Sequence, residues 1–352
     1  MGTTRTFRSA VEWRGDHLEL IDQTLLPSEE EVREVRSVAD AVDAIARLVV
    51  RGAPAIGVCG AFGVALGVRE ARPADLEAAL RALEASAVRL ESARPTAVNL
   101  GWAVHRVAAA ARTARSAEEV FERALGEARA IQEEDRESCR AIGENGRREL
   151  AAAGALLTHC NTGRLATAGW GTALGVVYAK AEAGDPVEVF VSETRPLLQG
   201  ARLTAWELLD AGIPATLVTD GMSAALMASG RVQAVIVGCD RVARNGDTAN
   251  KIGTFTHAIV ARAHGIPFYV AGPLSSFDPD AASGDRIVVE ERPPEEVLQI
   301  RGVPVAAPIP VWNPAFDVTP AGYVTAFITD RGVLRPPFEL SITGALAKAG
   351  RS

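Results

Sequence analysis

Ala155-Leu-Leu-Thr-His159, followed at once by Cys160-Asn-Thr-Gly163, is the stretch that decides how this chain is read. An apolar run stops abruptly and small polar residues take over. The same rhythm returns at Val187–Val191, Ala215–Val218, Ala234–Val237 and Pro267–Val270, with helical stretches between. Such short apolar runs read as buried strands, and repeated strand–helix units imply a parallel sheet covered on both faces. In open parallel sheets ligands bind beyond the carboxyl ends of the strands. The residues after each run therefore carry most weight: Cys160 to Gly163, Ser192 to Arg195, Thr219 to Gly221, and Cys239 to Arg241.

Upstream of residue 150 the rhythm is helical. Leu76, Ala79, Leu80, Leu83, Ala87 and Leu90 recur at three- and four-residue steps, one face of a 3.6-residue helix. Ser116 with Glu119 forms a capping box opening a helix with Phe121, Ala124, Leu125 and Ala128 on one side. Ser28 with Glu31 has the same spacing and predicts a helix starting at Pro27. Before it, two extended stretches around Arg14-Gly15-Asp16 read as a hairpin. The fold class expected is α/β: a mainly helical N-terminal domain with a small β-hairpin, residues 1–149, then a Rossmann-like parallel-sheet catalytic domain, residues 150–352. The Ser-, Asp- and Pro-rich stretch Pro273–Pro294 reads as a long surface loop.

With 352 residues the chain can bury a large core without disulfides or metals. Its net charge of −7 argues against a nucleic-acid surface, which needs a basic face. Cys59, Cys139, Cys160 and Cys239 lack CxxC spacing and read as reduced thiols of a cytoplasmic protein. His17, His105, His159, His257 and His264 form no ligand pattern along the chain, so no metal is expected. No apolar run of 18 residues suggests a membrane span. Met1-Gly2-Thr3-Thr4-Arg5-Thr6 fits the N-myristoylation pattern, which is short enough to arise by chance.

Four segments carry residues suited to chemistry, and each also has a plain structural reading. In Arg51-Gly52-Ala53-Pro54, Pro54 suits a first helical turn, and the amides of Gly52 and Ala53 with Arg51 suit an anion. A Gly/Pro helix corner has the same pattern. Asn250-Lys251-Ile252-Gly253-Thr254 reads as a loop entering a helix, a phosphate seat or merely an N-cap. Cys160, after a strand and before a helix, would be shifted toward thiolate by the helix dipole; a buried inert thiol is the alternative. Asp240, ending an apolar strand, would have its pKa raised by desolvation and serve as acid or base, or else cap a helix beside Arg241. Arg94 and Gln199 are further polar points in weaker contexts, and no GxGxxG follows any strand.

Taken in order, these segments resemble one family. Leu20-Ile-Asp-Gln-Thr-Leu-Leu-Pro27 is similar to its opening; Arg51–Gly57, His159–Gly163, Glu193-Thr-Arg-Pro196, Gln199–Leu208, Asp240-Arg241 and Asn250–Thr254 follow, and Trp312-Asn-Pro-Ala-Phe-Asp-Val-Thr-Pro320 closes the match. The family is that of the 5-methylthioribose 1-phosphate isomerases of methionine salvage, which shares its fold with regulatory subunits of the translation-initiation guanine-nucleotide exchange factor. The resemblance spans nearly the whole chain. It implies conversion of 5-methylthioribose 1-phosphate to 5-methylthioribulose 1-phosphate, with Cys160 and Asp240 as the catalytic pair. It implies substrate binding by Arg51, Gly52, Ala53, Arg94, Gln199, Asn250 and Lys251. It further implies a homodimer with a sugar phosphate as its small-molecule partner and no cofactor. The chain departs from the family at Arg164, usually a small residue, and at Cys239, often alanine. Arg164 keeps a ribose 1,5-bisphosphate isomerase in view; a 5-deoxyribose 1-phosphate isomerase and a non-catalytic binding module are the other rivals.

Overall fold

The computed structural model describes residues 8–95 and 97–350. The Met1–Thr6 pattern and Thr96 lie outside them. Packing separates two compact units, one of residues 1–137 with 164–171, the other of residues 138–163 with 172–352. The division thus falls at 137/138, not at 149/150.

The first unit begins with the expected hairpin, β1 (Val11–Arg14) against β2 (His17–Ile21), in register Val11↔Leu20 and Arg14↔His17. A third strand, β3 (Val32–Val35), pairs antiparallel with β2 where a helix from Pro27 was expected. The Asp22 N–H donates to the Glu31 carbonyl, so the ladder claims this stretch before a helix can start. The true capping box is Ser37 with Asp40, opening α1 (Val38–Ala46). Then come α2 (Ala53–Ala71), α3 (Leu76–Ala93), α4 (Val98–Ala111) and α5 (Ala117–Glu149). In α3, Ala79, Leu83, Ala87 and Leu90 of the predicted stripe are buried. Helix α2 is buried on nearly every side, from Ala55 to Val68, and packs against α1, α3 and α4. By length and composition it is the one described helix apolar enough to cross a membrane, but 78% of it is buried in the protein, as befits a core helix.

In the second unit the last turns of α5 are held by their own neighbours. A Cβ at Gly143 would meet the Gly175 carbonyl, and the Asn145 side chain donates to the Thr329 carbonyl. This is why the unit begins inside the helix. The elements then run β4 (Ala155–Thr158), α6 (Ala173–Glu182), β5 (Glu188–Ser192), α7 (Ala205–Ala211), β6 (Ala215–Val218), α8 (Ser223–Ala228) and β7 (Ala234–Val237). After these come β8 (Arg241–Ala243), β9 (Thr248–Lys251), α9 (Thr254–Ala263), β10 (Phe268–Ala271), β11 (Phe277–Asp278), α10 (Glu295–Leu298), β12 (Gln299–Ile300) and β13 (Val303–Pro304). The chain closes with β14 (Phe316–Thr319), β15 (Ala326–Thr329), β16 (Gly332–Leu334) and α11 (Phe338–Lys348).

Among the described residues the main sheet has the order β16-β15-β10-β7-β4-β5-β6, parallel except for β16. All five predicted strands are in it. Strand β6 differs from expectation in being half-exposed, because it is the sheet edge. A second sheet, β11-β8-β9-β14, was not foreseen, and it turns Asn250 and Lys251 into strand residues. It also draws part of the supposed surface loop 273–294 inward: Leu274, Ser276, Phe277 and Ala281 are buried. The core of this unit joins Leu157, Phe190, Val235 and Val237 of the sheet to Ala258, Phe327, Phe338 and Ile342.

Candidate active site

Chain order fixes where the second unit binds. From β4 the chain moves outward to β5 and β6, then returns to the other side of β4 to lay down β7, β10 and β15. The order reverses between β4 and β7, and ligands bind at such switch points, outside the carboxyl ends of the strands. Cys160 stands two residues past the end of β4, and Asp240 three past the end of β7. The strand ends approach closely: a Cβ at Gly238 would lie 2.5 Å from Thr162 Cγ2, so only glycine fits there.

The other predicted residues of this unit lie in β9 and in the turn after β5. The Asp240 N–H donates to the Ala249 carbonyl at 2.9 Å, setting Asp240 beside Asn250. Asn250 is buried, and its amide donates to Thr254 Oγ1 at 3.0 Å. The His159 Nε2–H donates to the Ile252 carbonyl at 2.8 Å, which ties the residue before Cys160 to the one after Lys251. Lys251 Nζ donates to the Ala315 carbonyl at 2.8 Å and lies 4.8 Å from the Phe316 ring centroid. Gln199 is buried at the start of the π-helical turn Gly200–Thr204; its Oε1 meets no hydrogen-bond donor among the described residues. Irregular turns of this kind recur at functional sites.

Three local expectations need correction. No helix begins directly after Cys160, since α6 starts only at Ala173, so the helix-dipole argument for its thiol fails. Two of the donors at the start of α9 are already committed to a carboxylate. The N–H of Gly253 donates to Asp317 at 2.8 Å and that of Phe255 at 3.2 Å, and burial still pushes the Asp317 carboxyl up to about 6. Arg241 pairs with Asp278 at 3.5 Å. Beside Asp240, burial and the adjacent carboxylate push the Cys239 thiol up to about 12, so it stays protonated.

Sequence reasoning also missed a buried layer behind Cys160. His159, Asp220 and His257 bring ligand atoms within 4.8 Å of one another, a grouping invisible along the chain because 98 residues separate the histidines. It reads as a hydrogen-bonded cluster. His159 Nδ1 lies 3.0 Å from His257 Nε2, and with Nε2–H committed to Ile252 it accepts from His257. Burial holds both rings neutral, His257 down to about 3, with His159 adding to the effect. Burial alone would raise the Asp220 carboxyl, but the Ser192 hydroxyl and the N–H groups of Arg195 and Thr194 hold it below the usual range. The buried Glu207 anchors the loop after Cys160, accepting from Asn161 at 2.8 Å and from Tyr178 at 2.7 Å.

Arg51, Gly52, Ala53 and Arg94 belong to the first unit. Gly52 caps α2 at φ 91°, with Pro54 in the first turn as expected. A Cβ there would lie 2.6 Å from the Ala166 backbone, and the Ala55 N–H is already given to the Ala166 carbonyl at 3.1 Å. Arg94 ends α3 and is half-buried. Arg164 is buried in the segment that packs with this unit.

Residues 49–336 match the Initiation factor 2 subunit family. The chain is 53% identical over 345 residues to a 5-deoxyribose 1-phosphate isomerase of Moorella thermoacetica, covering 97% of this chain and 98% of that one. It is 50% identical over 333 residues to a methylthioribose-1-phosphate isomerase of Pelotomaculum thermopropionicum, covering 94% and 92%. The crystal structure of 5-methylthioribose 1-phosphate isomerase from Pyrococcus horikoshii superposes with a TM-score of 0.93 at 42% identity, covering 97% of each chain.

Proposed function

The chain belongs to the Initiation factor 2 subunit family and is an isomerase, and we propose that its substrate is 5-methylthioribose 1-phosphate, which it converts to the 1-phosphoketose. The observation that supports this reading is that a thiol and a carboxyl, Cys160 and Asp240, follow the carboxyl ends of the neighbouring strands β4 and β7, where the strand order reverses. Phosphate on the C1 oxygen prevents a free aldehyde from forming, so the ring must open with the C1–O–phosphate bond intact. Asp240, protonated, donates to the ring oxygen as its bond to C1 breaks. Hydride moves from C2 to C1, and the C2 hydroxyl returns its proton to the carboxylate, leaving the ketone. Cys160 is buried, which supports a transfer shielded from water. Gln199, Asn250 and Lys251 of the same unit are proposed to bind the substrate.

Turnover in heavy water tests the route: deuterium at C1 of the ketose excludes a shielded hydride shift. Cys160→Ser and Asp240→Asn should each lower kcat by at least about 100-fold with little loss of stability. If either keeps near-normal turnover, its assigned role is wrong.

The 53% identical relative favours a second reading, 5-deoxyribose 1-phosphate as the substrate. The two sugars differ only in a neutral group on C5. Proton and phosphorus NMR should follow both in parallel with ribose 1,5-bisphosphate. Faster turnover of the methylthio sugar supports the proposal; faster turnover of the deoxy sugar replaces it. The protein is further proposed to act as a homodimer. The exposed apolar side chains of Leu209, Leu217 and Met222, on and beside the edge strand β6, support this. Light scattering behind size exclusion would read the mass, and a monomer at working concentration would sink it.

A further inference from the structure

The backbone around Cys160 is held in a conformation it would not choose. Cys160 adopts φ 66°, the left-handed region that side-chain-bearing residues seldom enter, and Thr194, past the end of the neighbouring strand β5, adopts φ 68°. Such residues persist only where their surroundings over-determine them. Here they do. The Cys160 N–H donates to Thr194 Oγ1 at 2.8 Å, and the Thr204 hydroxyl donates to the Cys160 carbonyl at 2.6 Å. Both peptide groups flanking the Cys160 Cα are therefore fixed by threonine hydroxyls from other segments, and with them the direction of the Cα–Cβ bond.

Thr194 is itself held from behind. Its hydroxyl accepts from Cys160 and donates to the Ser192 carbonyl at 3.0 Å. Its N–H donates to Asp220 Oδ1 at 2.9 Å, the Arg195 N–H donates to Asp220 Oδ2 at 2.7 Å, and the Ser192 hydroxyl donates to the same carboxylate. One carboxylate thus gathers three donors of a single turn and presents the Thr194 hydroxyl to Cys160.

We propose that Thr194, held in place by the carboxylate of Asp220, is a positioning residue that sets the Cys160 thiol for the isomerisation. The proposal rests on the catalytic reading of Cys160, so its test includes a readout independent of turnover. Thr194→Val keeps the branched shape and removes the acceptor, Thr194→Ser keeps the acceptor, and Asp220→Asn replaces one acceptor oxygen with a donor. For each, kcat and KM would be measured, together with the rate at which iodoacetamide alkylates Cys160, followed by mass spectrometry of its peptide.

Thr194→Val should lower kcat by about tenfold or more, leave KM within about twofold and change the alkylation rate several-fold. Thr194→Ser should recover most of both, and Asp220→Asn should fall between. A folded Thr194→Val protein whose kcat and alkylation rate both stay within about twofold of the parent overturns the proposal. If Thr194→Val does not fold, Asp220→Asn decides by the same two readings. Should Cys160→Ser prove fully active, the catalytic reading fails by itself, and an alkylation rate unmoved by Thr194→Val would independently overturn the positioning.

Discussion

At the scale of single residues, Gly52 is a position where the first unit leaves almost no latitude. Its φ of 91° is closed to ordinary side chains, and a Cβ would press within 2.6 Å of the Ala166 backbone. Gly52→Ala should cost about 2–4 kcal/mol, from backbone strain and overpacking together. A thermal melt reads it, and an unchanged midpoint would mean that the 164–171 segment yields easily. This glycine was legible as a helix corner before Pro54. The reason it must be glycine was not, because Ala166 is more than a hundred residues away. The strand-end positions of Cys160 and Asp240 were legible by another route, from the apolar runs that stop just before them. Thr194 and Asp220 were visible only as two polar residues at strand ends. Their joint hold on Cys160 depends on three loops meeting, which no local pattern encodes.

At the scale of elements, pattern served long pieces well and short ones poorly. The apolar face of α3 and five of the seven described strands of the main sheet follow from spacing and run length; β15 and β16 were not read from the sequence. Strands β8 and β9 are three and four residues long and read Arg-Val-Ala and Thr-Ala-Asn-Lys. Neither periodicity nor hydrophobicity can find them; they pair with each other, and β11 and β14, further along the chain, complete the sheet on either side. The stretch after Pro27 failed for the opposite reason. A correct local capping signal at Ser28 and Glu31 lost to pairing with β2. Helix α2 offers the test at this scale. Phe62 is fully buried in it and stacks on Trp13 with ring centroids 5.4 Å apart. Phe62→Ala should destabilise the protein by about 3–5 kcal/mol, read by denaturant unfolding. A loss below about 1 kcal/mol would show that the helix is not the keystone of its unit.

At the scale of the molecule, the buried rings couple stability to pH. His257 titrates near 6.5 when unfolded and is held down to about 3 in the fold, facing His159 and, more distantly, Asp220. As pH falls below about 6.5 the unfolded chain takes a proton that the folded one refuses, so stability is lost by up to about 1.4 kcal/mol per pH unit. Asp135 and Asp317, both raised from 3.8 to about 6, act with the opposite sign between those values. The two effects are separable by difference. His257→Gln keeps an amide to donate to His159 and does not titrate, so its stability gap from the parent should shrink as pH falls from 7 to 4.5. A gap independent of pH would show that His257 is not held neutral.

The strand order described above reaches beyond this one reaction. From β4 and β7 the chain departs in opposite directions, toward β5 on one side and β10 on the other. The opening between them is therefore a property of wiring. On the mechanism proposed, two point changes, at Cys160 and Asp240, would erase the chemistry, whereas removing the switch point would require the sheet to be threaded anew. In descendants of such a chain, a place for a small molecule should outlive the ability to transform it.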